Sequence, residues 1–241
     1  MSAAVELALY PLLRNDPALV HYWRMEVDVP PDYYCVDDVG DYHGTANLTS
    51  APGKFNKCAP FDGSNADISF YTGPDFGTAG TISMWIMFGK GPVIEGSFDD
   101  PVMTVRITSD GVSQYGLKWL FEADTAYDSY NAAFTPGVWH HMALTWDTSP
   151  SQKVYLDGNL IDGNTANVSL NSPGSGFQFG VSWTVFDRFT GSLDDVAFFN
   201  RALTPTEISN YYNNITPAPA TNKCRRSSSN LGTRTGTRQL Q

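Results

Sequence analysis

The sequence predicts an all-β sandwich, on three observations. About ten short strand-patterned runs alternate with turn signals along the chain. The acids are lopsided: of 25 acidic residues only Glu6, Glu26, Glu95, Glu122 and Glu207 are glutamate and the rest are aspartate, beside 21 glycines and 15 prolines. Aspartate with glycine and proline favours turns over helix. Hydrophobic residues make up 41% of the 241 and aromatics 13%, enough for a substantial core.

Taken in order, Ala3 to Asn15 reads as one short helix, with Val5, Leu9, Leu12 and Leu13 on one face and Asp16-Pro17 as its stop. Leu19 to Met25 is a strand, and Pro30 to Gly44 an Asp-rich loop. Strands are expected at Ile68 to Tyr71, Thr81 to Phe88, Val102 to Thr108, Leu117 to Ala123 and Val138 to Trp146. Lys153 to Leu156 and Leu160 to Ile161 flank Asp157-Gly158-Asn159, a hairpin signal. Phe177 to Val181 and Leu193 to Phe199 complete the strands. Thr204-Pro205-Thr206-Glu207 is a capping box with proline at the first helical position, so a second short helix follows, with Ile208, Tyr211 and Tyr212 on its apolar face. The organisation expected is an N-terminal helix over 1–17, one domain over 18–215 and an extended arm over 216–241.

Charge is segregated. Five of the fifteen bases (Lys223, Arg225, Arg226, Arg234, Arg238) and none of the acids fall in 216–241, so the first 215 residues carry 10 bases against 25 acids, a net of −15. An acidic body argues against nucleic acid as a partner. The arm could be a nucleic-acid arm, a solubility tail or a docking arm; docking onto a neighbouring copy or another acidic protein fits the charges best. No run of 18 apolar residues predicts a membrane-spanning helix. Met1 to Arg14 lacks a basic start and is interrupted by Glu6 and Pro11, so no Sec signal is expected and synthesis in the cytoplasm is. Cys35, Cys58 and Cys224 are too few for a disulfide framework; free thiols are expected, with a Cys35–Cys58 bond as the alternative.

Several stretches resemble the laminin-G-like, concanavalin-A-like lectin domains of the LamG type 3 pattern. Leu19-Val-His-Tyr-Trp-Arg-Met-Glu26 resembles the opening strand, Asp37 to Gly44 the D-x-x-G…HG loop, and Gly53-Lys-Phe with Phe61-Asp62-Gly63 the GKF…FDG stretch. Gly137 to Asp147, Val154 to Gly158, Gly191 to Val196 and Asn200 to Thr204 resemble the second half in the family's order. The loop before His43 is one residue shorter than the family's form. The resemblance covers roughly residues 8 to 213. It implies a two-sheet antiparallel jelly roll with short N- and C-terminal helices. It also implies a structural Ca²⁺ between the FDG turn, the early loop and the LDD turn, with Asp62 and Asp195 first, then Asp37 and Glu26, and Asp194 beside them. The same acids have a plainer use as acceptors for turn N–H groups, and both readings stay open.

No enzyme is expected. Glycoside hydrolysis needs two carboxylates within reach of one sugar. The glucanase pattern E-x-D-x-x-E finds only Glu122-Ala-Asp124-Thr-Ala-Tyr127, where Tyr127 replaces the second glutamate. His140 and His141 adjoin on a strand and so face opposite ways; neither is expected as a ligand. Trp23, Trp85, Trp139 and Trp146 sit in strand patterns as core, and Trp119 is ambiguous. Two loops are candidate glycan patches: Trp183, Phe186, Asp187 and Arg188; and Tyr127, Tyr130 and Asn131. Two function classes follow. One is a non-catalytic surface building block of an assembly, first of all a virus or phage particle, as a decoration or tail-associated protein whose lectin-like domain also meets cell-surface glycans. The other is a soluble calcium-dependent carbohydrate-binding lectin or adhesion module.

Overall fold

The computed structural model describes residues 13, 15–27, 34–71, 77–97, 100–109, 115–121, 128–132, 137–148, 152–164, 177–181 and 188–213; for 88–132, 162, 164 and 177 it describes the backbone alone. The strands are β1 (Leu19–Trp23), β2 (Tyr34–Cys35), β3 (Gly44–Ala46), β4 (Ala51–Pro52), β5 (Lys57–Asp62), β6 (Ile68–Phe70), β7 (Gly80–Ser97), β8 (Asp100–Ser109), β9 (Tyr115–Phe121), β10 (Asp128–Ala132), β11 (Trp139–Trp146), β12 (Gln152–Leu156), β13 (Asn159–Asn164), β14 (Phe177–Phe179) and β15 (Thr190–Phe199). Helix α1 is Pro205–Asn213.

These strands form two antiparallel sheets stacked as a jelly roll. Sheet A runs β13-β12-β11-β7-β15, with β1 and β5 sharing the far edge of β15 and β4 beyond β5. Sheet B runs β10-β9-β8-β7-β14-β6-β3-β2. Strand β7 belongs to both. Its first half pairs with β11 and β15, and from Gly91 it pairs with β8 and β14. The crossing falls at Gly89-Lys-Gly-Pro92, where the register with β8 also shifts; glycine, proline and a bulge let a strand change sheets.

The core between the sheets holds Trp23, Ile82, Met84, Ile86, Met142, Leu144, Trp146, Phe179 and Phe198, all buried. Sheet A is covered on its other face too. There Tyr22, Trp85, Ala143, Tyr155, Ala197 and Phe199 pack under Leu203, Ile208 and Tyr211 of α1 and its approach, with Leu13. This is why β11 and β15 read as nearly unbroken apolar runs and are buried along most of their length.

The capping box forms as the sequence predicts. Thr204 N donates to Glu207 Oε2 (2.7 Å) and Glu207 N to Thr204 Oγ1 (3.3 Å). Arg201 holds Glu207 and, at 2.7 Å, Asp16, which also accepts from Tyr211 Oη at 3.0 Å. The Asp157-Gly158 turn has both residues at positive φ (50° and 77°), the form a two-residue hairpin requires.

Some expectations need correcting. The Pro30 to Gly44 stretch is not all loop: it contains β2 and a bridge from Asp37 to Trp23. Strands β3, β4, β5 and β10 carry too few apolar residues to be read from sequence, and β7 is longer than expected because its second half starts with glycine and proline. Of the predicted N-terminal helix, residues 1–12 lie outside the described residues; Leu13 is buried. The arm lies outside them too. Trp23, Trp85 and Trp146 are buried as expected, and Trp139 is half-buried. Cys35 and Cys58 are buried free thiols, and burial pushes Cys35 up to about 12. Among the described residues no helix is long and apolar enough to cross a membrane.

Candidate functional site

Alternation along the short strands of sheet B builds one outward face. In Asp67-Ile68-Ser69-Phe70-Tyr71, Ile68 and Phe70 are buried while Asp67 and Ser69 are half-buried on the other side and Tyr71 is 100% exposed. On β3 Thr45 is exposed and Ala46 buried, and Asn47, just past the strand, is exposed. On β2, Tyr34 is 49% exposed and Cys35 buried. On β14, Gln178 is half-buried next to buried Phe179.

Register aligns these residues. Tyr34 pairs with Thr45, Thr45 with Ser69, Ser69 with Gln178, Gln178 with Glu95 and Glu95 with Thr104. From Tyr34 to Gln178 the row spans three strand spacings, about 14 Å. Asp67 Oδ2 accepts from Ser69 Oγ at 2.8 Å, and Asp67 O accepts from Asn47 N at 2.8 Å. The result is a hydroxyl- and oxygen-rich strip with an exposed tyrosine ring beside it. Sequence reasoning missed it, although the alternation in 67–71 carries the signal.

The carboxylates expected to share a cation are placed elsewhere and apart. Asp37 accepts from the backbone N–H of Tyr22 (3.0 Å), Val39 (3.1 Å), Gly40 (3.0 Å) and Tyr42 (3.3 Å), and lies 2.7 Å from His21 Nδ1. Burial pushes its carboxyl up, but the hydrogen bonds from His21 and those N–H groups outweigh this and hold it below its usual value. Gly40 is required: a Cβ there would stand 2.5 Å from His21 Nδ1. Asp62 is exposed and closes its own turn, accepting from the N–H groups of Ser64, Asn65 and Ala66 and from the Ser64 hydroxyl; these hold it well below the usual range. Glu26 accepts from Asn56 Nδ2 at 2.8 Å.

Asp194 and Asp195 sit on a bulge of β15, under the α1 side of sheet A. Asp194 Oδ2 accepts from Phe55 N at 3.1 Å, which wraps the Gly53-Lys54-Phe55 loop onto it; a Cβ on Gly53 would come within 2.6 Å of that oxygen. Burial, then the neighbouring Asp195 charge, pushes Asp194 up to about 8. Asp195, at φ 46°, accepts from Tyr22 Oη at 2.5 Å. Nearby, buried His141 Nε2 lies 2.8 Å from Ser83 Oγ, and burial lowers it to about 4. His140 faces the other way, 2.7 Å from Asp157 Oδ2.

The calcium expectation therefore meets a donor set that does not converge. Among the described residues no three His, Cys, Asp or Glu side chains stand together to hold an ion. Among the described residues, these five carboxylates do not gather as a side-chain cation centre. Their oxygens serve backbone N–H groups, the Ser64 and Tyr22 hydroxyls, the Asn56 amide and the His21 ring.

Of the expected glycan patches, Trp183, Phe186, Asp187 and Tyr127 lie outside the described residues, and Arg188 is half-buried. Tyr130 and Asn131, expected in a loop, are in β10, paired with Leu117 and Gly116. Lys223, Arg225, Arg226, Arg234 and Arg238 also lie outside the described residues.

Solved structures share this fold. Domain 4 of AbnA, an extracellular arabinanase from Geobacillus stearothermophilus, in complex with arabinotriose, matches over 80% of this chain and 98% of its own length, with 20% identity and a TM-score of 0.63. The botulinum neurotoxin serotype D binding domain matches with 13% identity and a TM-score of 0.61 over 81% of this chain, which spans 51% of that chain's length. A heptameric SAP-like pentraxin from Limulus polyphemus matches with 16% identity and a TM-score of 0.53, over 64% of this chain and 80% of its own. A comparison with curated proteins finds no match. Residues 62–209, more than half of the chain, match the laminin G type 3 family, and with the two-sheet jelly roll around them they make this chain a member of the concanavalin A-like lectin/glucanases superfamily.

Proposed function

We propose that the chain is a non-catalytic carbohydrate-binding domain that takes a glycan on the outer face of sheet B. The observation that carries this reading is the polar row Tyr34–Thr45–Ser69–Gln178 with the wholly exposed Tyr71 beside it. A sugar presents apolar C–H faces and hydroxyls. A tyrosine ring suits the first, and carboxylate, amide and hydroxyl groups the second. The arabinotriose in the AbnA domain makes an arabino-oligosaccharide the natural first probe. Titration calorimetry of the full chain with arabinotriose and with neutral gluco-, xylo- and galacto-oligosaccharides tests it. At least one should bind and remain uncleaved. Tyr71→Ala should weaken it about tenfold. Tm should not move, because the ring is fully exposed. No binding by any of them, or undiminished binding by Tyr71→Ala, would defeat the reading.

A second reading rests on the segregated charge. The five bases of 216–241 suit docking on an acidic partner, a second copy of the −15 body or another structural protein of a particle surface. Light scattering on the full chain and on a chain ending at Ile215 should give an oligomer and a monomer respectively. Two monomers would remove self-docking.

A further inference from the structure

We infer that His43 is a ligand-contacting residue of the sheet B face, its Nε2–H a fixed donor to a glycan oxygen. The inference rests on the carbohydrate reading above. His43 lies just before β3, in an alternation that runs past the strand end: His43 and Thr45 are exposed, Gly44 and Ala46 buried. Thr45 pairs with Tyr34 on one side and with Ser69 on the other. Carrying the same antiparallel count on by two residues sets His43 between Val36 and Tyr71. Gly44 permits this approach, since a Cβ there would stand 2.6 Å from Ile68 Cγ2 and 2.8 Å from the Phe70 ring. Beside the polar row Tyr34–Thr45–Ser69 there is thus a second row, Val36–His43–Tyr71, about 7 Å along the strands.

Two independent features make this row a seat. The first is apolar. Of the six large apolar side chains exposed among the described residues, three gather on this corner: Val36 at 38%, Tyr34 at 49% and Tyr71 at 100%. Exposed apolar side chains gathered in one place mark a binding surface. The second is polar, and lies in the unequal use of the two His43 nitrogens. Nδ1 is 3.0 Å from the backbone N–H of Asp37. An amide N–H only donates, so Nδ1 is the bare acceptor and the proton of the neutral ring sits on Nε2. That Nε2–H has no partner among the described residues, and His43 is exposed. The ring cannot turn its donor away without giving up the Asp37 bond. It is therefore held at one nitrogen and open at the other, about one strand spacing from Tyr71. A sugar stacked on the Tyr71 ring brings its hydroxyl and ring oxygens alongside. A donor already oriented binds them without a further ordering cost.

Two variants separate the two nitrogens. His43→Asn keeps a side-chain oxygen for Asp37 N and removes the donor at the Nε2 position; His43→Gln keeps an amide donor there and removes the acceptor. Calorimetry on the full chain, with arabinotriose and the neutral oligosaccharides named above, should find His43→Asn binding about three- to tenfold more weakly than the wild type at an unchanged Tm. His43→Gln should recover part of that loss although its Tm is the lower of the two. Wild-type affinity in His43→Asn, or weakening that follows Tm in both variants, would overturn the inference and leave the carbohydrate reading to Tyr71→Ala. Nitrogen-15 spectra of the wild-type imidazoles need no variant. His43 should carry its proton on Nε2, and a saturating sugar should shift that signal. A proton on Nδ1, or an unmoved signal while calorimetry shows binding, would overturn the inference as well. No binding by any sugar would overturn both.

Discussion

Asp37→Ala should cost about 3–5 kcal/mol of stability or leave no folded protein, although the residue lies in what reads as a loop. One carboxylate there collects four backbone N–H groups and faces His21. The Tyr22 donor is buried with no route to water, so losing its acceptor carries the full desolvation cost. The clamp also ties β1 to residues 37–43, and Asp37 N itself donates to His43 Nδ1 at 3.0 Å. Asp37→Asn keeps one acceptor oxygen and should lose less, about 1–3 kcal/mol. Urea unfolding of both variants measures this. A Tm and midpoint for Asp37→Ala near the wild type would show the clamp to be idle.

The second large effect is a loss of stability from pH 6.5 to 8, set by Asp194. Its carboxyl is raised to about 8 from an ordinary 3.8, by burial first and by Asp195 second. The folded state therefore holds a proton that the unfolded state has released, and stability falls as pH rises through that window. The adjacent carboxyls share this titration as a pair. His141 works the other way. Burial lowers it to about 4 from 6.5, so its contribution is complete above 6.5 and is lost as pH falls toward 4. The two slopes, each about 1.4 kcal/mol per pH unit, nearly cancel between 4 and 6.5. Above 6.5 the slope of the carboxyl pair is no longer offset by His141, so stability falls toward pH 8. Asp194→Asn should flatten the alkaline limb and uncover the rising His141 limb. Identical profiles for wild type and variant, by urea unfolding across pH, would exclude this assignment.

These two sites show how far the sequence is legible. Asp37-x-x-Gly40 announces a tight carboxylate-centred turn, but an oxygen-rich turn is equally a cation loop or an N–H clamp until its donors are known. Here Val39, Gly40 and Tyr42 of the loop itself supply three N–H groups, and Tyr22 and His21 on β1 supply the rest, which the spacing within the loop does not reveal. The Leu193-Asp-Asp-Val196 stretch likewise hides that its acids face Phe55 and Tyr22, residues distant in sequence. Local signals fared better. The capping box at Thr204 and the Asp157-Gly158 hairpin need only their neighbours, and both form. The proposed glycan face is hidden for a different reason. Ile68 to Tyr71 reads as a strand, but the reading stops at the element; in the structure Ile68 and Phe70 are buried while the opposite side of the same alternation carries Ser69 and Tyr71.

The pairing of β15 has a consequence for how the chain comes to be folded. β15 occupies the interior of sheet A, between β7 and the β1–β5 edge, yet it is the last strand among the described residues. Trp23 is joined to Val196, and Leu19 to Phe199. During synthesis β1, β5 and β7 must wait, edges open, until nearly the whole domain has left the ribosome. So long-ranged a closure is slow, and it makes the jelly roll all-or-none: a chain stopped before Thr190 lacks the strand that joins its first residues to its middle.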